Sequence, residues 1–81
     1  MKPIKRYISQ FEKNSDALFQ EIDFRAPPDL SFLQSLFNLS ANNPMYDEYP
    51  ITKEIALKIS PLIKQSLNLE KYEYFLSCSS E

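Results

Sequence analysis

The chain has 81 residues, 43% of them hydrophobic and 14% aromatic, and its nine Lys and Arg against eleven Asp and Glu leave a formal net charge of −2. That is one domain, 1–81, with enough apolar material for a core, which excludes intrinsic disorder, and without the basic surplus of a nucleic-acid binder. It has no His, no Gly and a single Cys, Cys78. Imidazole catalysis, glycine-rich phosphate loops, an internal disulfide and a cysteine zinc site are thereby excluded.

Met1 to Arg6 is basic, but no apolar run follows it, so it does not read as a secretory signal. No apolar stretch approaches the roughly 20 residues of a membrane span. A lone thiol suits a reducing compartment, and the expected location is the cytoplasm.

Residues 4–12 read as a strand in which Tyr7, Ser9 and Phe11 share one face. Asn14-Ser15-Asp16 is a turn signal, because Asn and Asp tolerate positive φ in a chain that has no Gly. Residues 17–24 then place Leu18, Ile22 and Phe24 on one face and Phe19, Glu21 and Asp23 on the other, which completes an antiparallel hairpin. Ala26-Pro27-Pro28-Asp29 breaks the sheet. Asp29 can cap a helix with its carboxylate, and Leu30, Leu33, Leu36 and Phe37 follow at helical spacing up to Asn38.

The segment Met45 to Ile51 lies between Pro44 and Pro50 and reads as an ordered loop. Thr52 is a suitable N-cap for a second helix over 53–67, with Ile55, Leu57, Ile59, Leu62, Ile63 and Leu67 apolar. Pro61 predicts a kink or break near Ser60, since proline removes a helical hydrogen bond and crowds the preceding turn. Residues 71–78 alternate, with Tyr72, Tyr74, Leu76 and Cys78 on one face and Glu73, Phe75 and Ser77 on the other. The predicted fold is α+β in the order β-β-α-α-β: a three-stranded, mostly antiparallel sheet with two helices on one face. Where the last strand pairs stays open.

The loop is the most unusual segment, because Tyr46 and Tyr49 flank the adjacent carboxylates Asp47 and Glu48. Two readings stand for it. As a binding loop, its tyrosines supply rigid contact area and its carboxylates meet a basic partner. As an acidic connection, its rings merely cover the core. Paired carboxylates without a His or a substrate cleft do not suggest catalysis, so no catalytic residue, metal ligand or cofactor is expected. Glu12, Glu21, Asp23, Glu70 and Glu73 read singly as solvated strand or loop residues, and Cys78 as a small inert hydrophobe. Lys53, Lys58 and Lys64 keep the second helix hydrated.

The opening Arg6-Tyr7-Ile8-x-x-Phe11-Glu12-Lys13, the helix ending near Leu39, the run Asn43-Pro44-Met45-Tyr46-Asp47-Glu48-Tyr49-Pro50-Ile51 and the closing Tyr72-x-Tyr74-Phe75-Leu76 carry a resemblance over nearly the whole chain. Together they resemble a group of small bacterial proteins, most of unknown function, some of which look like immunity proteins encoded beside contact-dependent growth inhibition or colicin-type toxins. The resemblance implies a small, cytoplasmic, non-catalytic inhibitor that neutralises a cognate toxin domain, here a nuclease whose active site is basic. It implies that Tyr46, Asp47, Glu48 and Tyr49 contact the toxin, with Glu73 as an addition, and no nucleic acid or membrane as partner. The alternative is an interaction or adaptor module, homodimeric through an exposed strand edge, although a monomer is favoured.

Overall fold

The structure is a computed structural model and describes residues 4–80. The described residues form strands β1 (Ile4–Glu12), β2 (Leu18–Asp23), β3 (Tyr49–Pro50) and β4 (Tyr72–Ser80), with helices α1 (Leu30–Leu36) and α2 (Lys53–Ile59). All pairings are antiparallel, and the order across the sheet is β2-β1-β4-β3. The α+β class and the two helices agree with the sequence reading. The sheet, however, has four strands rather than three, and the chain order is β-β-α-β-α-β. The extra strand is the end of the predicted loop, where Tyr49 and Pro50 pair with Leu76 and Phe75.

The closing strand lies beside the first. β4 pairs with β1 over its whole length, from Ile4↔Ser80 to Glu12↔Tyr72, so these two long strands form the centre of the sheet. Residues directly opposite in an antiparallel pair share a face. One face therefore carries Ile8, Ile22, Tyr74 and Leu76, and both helices cover it. Ile8, Ile22, Ile51, Ala56, Ile59, Ile63 and Tyr74 make one buried cluster, and Leu33, Met45 and Leu76 a second. Each fully buried aliphatic side chain contributes about 1.5–3 kcal/mol by leaving water.

Gln10 is also buried on this face, and its Oε1 accepts a hydrogen bond from Gln20 Nε2 at 2.7 Å, so its carbonyl is satisfied. The face of Tyr7, Ser9 and Phe11 that the sequence pattern singles out is the other one, turned away from both helices.

In this glycine-free chain two of the three left-handed positions among the described residues are taken by Asp16 and Asn38, the third by Met45. Asp16 has φ 56° in the β1–β2 turn, as its residue type suggested. Asn38 has φ 58° just after α1. There the Leu39 N–H donates to Gln34 O at 2.7 Å and the Asn38 N–H to Ser35 O at 3.2 Å, closing a Schellman cap. Asn38→Gly is accordingly expected to stabilise the fold by about 0.5–1 kcal/mol, read from the midpoint of urea unfolding.

Asp29 is the N-cap of α1, but its carboxylate makes no capping bond; only its backbone oxygen does, to the Leu33 N–H at 3.1 Å. Thr52 caps α2 as expected, accepting from the Ile55 N–H at 3.3 Å. The helix break at Ser60 is also present, with Pro61 inside a 3₁₀ turn over Ser60–Leu62. The predicted helix to residue 67 is not. Ile63 instead forms an isolated bridge with Phe24, because a backbone freed from the helix can bond the end of β2. Lys64 therefore lies beyond α2, and Leu57, read as part of an apolar face, is 73% exposed.

Candidate functional site

The Asn43–Ile51 segment is held at its base from several directions. Asn43 Oδ1 accepts the Met45 N–H at 2.8 Å, a side-chain-closed turn, and also the Tyr49 hydroxyl at 3.4 Å. Arg6, projecting from β1, donates from Nη1 to Met45 O and from Nη2 to Pro44 O, both at 3.0 Å. The buried Gln34 of α1 donates to Asn43 O at 2.6 Å and to Ala41 O at 3.2 Å. Cys78 Sγ lies 3.7 Å from Met45 O and 3.5 Å from Tyr46 O, placed to donate its S–H.

Packing completes the clamp. Met45 is 1% exposed and fills the cluster with Leu33 and Leu76, although its φ of 56° is a left-handed conformation that an unbranched residue accepts only at a cost. Tyr49 is half-buried, with its ring against Phe37 at 5.7 Å between centroids. Ile51 belongs to the larger cluster, and its N–H donates to Tyr74 O at 2.9 Å.

The run thus divides in two. Asn43, Met45, Tyr49 and Ile51 anchor it, while Tyr46, at 63% exposure, and the exposed Asp47 and Glu48 form its tip. Of the two tyrosines of the loop, Tyr49 covers the core and Tyr46 faces water. Among the described residues neither tip carboxylate pairs with a basic side chain of the chain; the ion pair present, Lys5–Asp23 at 3.3 Å, lies elsewhere. Both members of that pair are substantially exposed, so it contributes less than about 1 kcal/mol.

Glu73 does not join the tip. It is exposed on the helix-free face of β4, opposite Phe11, five residues and hence roughly 16 Å along the strand from Cys78, whose thiol lies against Tyr46 O. Among the described residues no group of three or more His, Cys, Asp or Glu is placed to hold a metal ion, and no helix is long and apolar enough to cross a membrane.

A family described as a domain of unknown function (DUF7683) matches residues 5–77. The chain belongs to this family. No curated protein matches it. The match to DUF7683 runs from Lys5 in β1 through β2, β3 and both helices to Ser77 in β4.

A second surface of this DUF7683 domain escaped sequence reasoning. On the helix-free face of the sheet, Tyr7, Phe11 and Phe75 are half-buried around Ser9 and Ser77, whose hydroxyl oxygens are 2.9 Å apart and nearly buried. The signal was present as two period-2 patterns, Tyr7-x-Ser9-x-Phe11 and Phe75-x-Ser77. They become one surface only when β4 pairs with β1, the pairing the sequence left open. Replacing one of these serines with Ala orphans the other and is expected to cost about 1–2 kcal/mol. Replacing both is expected to cost less than either single change, which a double-mutant cycle in denaturant unfolding checks.

Proposed function

We propose that this chain is an immunity protein: a non-catalytic, cytoplasmic inhibitor that binds a cognate bacterial toxin domain through Tyr46, Asp47 and Glu48. The observation that carries the reading is the exposed aromatic-acidic tip on a loop whose base is tied down by Arg6, Gln34, Asn43 and Cys78. A tip held in one conformation before binding loses little freedom on association, so more of its contact energy appears as affinity. A nuclease active site is basic because it holds phosphates, and two free carboxylates complement it and speed encounter. Tyr49 serves from within, by fixing the loop against Phe37, and the toxin is the partner in place of nucleic acid or membrane.

The test is co-expression of the tagged chain with the toxin fragment encoded just upstream. Stoichiometric co-purification together with rescued growth is the expected result. Neither association nor rescue removes the pairing.

A homodimeric adaptor is the second reading, favoured by Leu18 and Phe19 on the edge strand β2, 53% and 52% exposed. The end of that edge is already engaged, since the Arg25 N–H donates to Leu62 O at 2.8 Å and Gln20 Nε2 to Gln65 Oε1 at 2.9 Å. A monomer is therefore expected in sedimentation; twice the monomer mass would favour the adaptor.

A further inference from the structure

We propose that the helix-free face of the sheet is a second docking surface, for a basic protein segment whose arginines lie against Tyr7, Phe11 and Phe75 and pair with Glu21, Asp23 and Glu73. An antiparallel sheet facing water on one side normally carries polar side chains there. This one instead gathers three aromatic rings at its centre. Phe11 and Phe75 meet edge to face, with centroids 5.7 Å apart and planes at 82°. The register shift between Gln10 and Phe11 brings Leu18 opposite Phe11, off the face of Ile22 on which the sequence alternation places it, and it extends the apolar strip to the sheet edge at 53% exposure. Ser9 and Ser77 between the rings are small and satisfied by each other, so the centre of the face can be covered without orphaning a polar group.

Charge decides the occupant. Glu21 lies opposite Ser9, Asp23 opposite Tyr7 and Glu73 opposite Phe11, which rings the aromatic strip with exposed carboxylates. Among the described residues of β1, β2 and β4, Lys5 is the basic residue on this face, and it is paired with Asp23. One lysine against three carboxylates leaves this face with an excess of −2. A second copy would bring the same excess against itself. A segment carrying Arg matches both features, because a guanidinium stacks on aromatic rings and binds carboxylates in two-pronged fashion.

The surface is independent of the Tyr46–Glu48 tip, and either proposal can fail alone. The test uses the full chain, labelled with ¹⁵N, and a ten-residue peptide of alternating Arg and Trp, with alternating Glu and Trp as control. The Arg peptide is expected to shift amides of β1, β2 and β4 around Ser9 and Ser77, and the Glu peptide to shift none of them. Glu21→Lys with Glu73→Lys, both exposed and expected to leave the folded spectrum intact, is expected to weaken that binding at least tenfold. Glu54→Lys on α2, away from the face, is expected to change it less than twofold. Phe75→Leu, which keeps an apolar side chain in the strand, is expected to weaken binding several-fold while the folded spectrum persists. Shifts confined to residues 46–48, no saturable binding, equal binding of the Glu peptide, or association of the chain with itself through this face would each overturn the proposal.

Discussion

Asp47→Lys combined with Glu48→Lys is expected to weaken toxin binding by about 3–5 kcal/mol, the loss found when a desolvated charge pair is disrupted and its partner is left facing a like charge. Isothermal titration at two salt concentrations checks it. The wild-type chain is expected to associate more slowly at high salt, and the double variant to show little salt dependence. The same variant is expected to unfold within about 0.5 kcal/mol of wild type, since both carboxylates are exposed. An unchanged affinity in the folded variant would move the interface off the loop.

The second large effect concerns how the tip is held. Met45→Ala is expected to destabilise the fold by about 3 kcal/mol, because Met45 is 1% exposed and joins Leu33 and Leu76 in one cluster. Met45→Gly distinguishes packing from backbone conformation. At most buried positions Gly is worse than Ala, having lost another methyl group and gained freedom in the unfolded chain. At Met45, with φ 56°, glycine also relieves a left-handed strain of about 1–2 kcal/mol. The two variants are therefore expected to be equally stable within about 0.5 kcal/mol in guanidinium unfolding. If Met45→Gly were clearly the less stable, the side chain would outweigh the turn. Either substitution is also expected to loosen the Arg6 clamp, seen as faster amide exchange over residues 45–48.

How the chain folds was legible where a local rule spoke alone. The Asn14–Asp16 turn, the Thr52 cap, the break at Pro61 and the alternation of β4 each follow from the backbone preferences of a few adjacent residues. Tyr49 and Pro50 read as loop in the sequence because two residues show no period, and their pairing with Leu76 and Phe75 depends on a strand more than twenty residues away. Residues 60–67 were read as helix because apolar spacing continued past Pro61. The bridge from Ile63 to Phe24 redirected that backbone. Leu57 is exposed because it stands two residues from both Ile55 and Ile59, on the side of α2 opposite its packed face.

The candidate site divides along the same line. The acidic-aromatic composition of Tyr46 to Tyr49 is visible in the sequence, but which ring faces water is not. That choice is made by Phe37, by Asn43 and by an arginine thirty-nine positions before Met45. Composition and local spacing by themselves determined the α+β class, the glycine-free turns, the helix caps' positions and the absence of imidazole and disulfide chemistry, because each depends on residue type or near neighbours. Only the tertiary structure decided which face of β1 is the core, that Glu73 stands apart from the tip, and that Tyr7, Phe11 and Phe75 form one surface. All three depend on β4 pairing with β1, a contact between strands at opposite ends of the chain that no local pattern encodes.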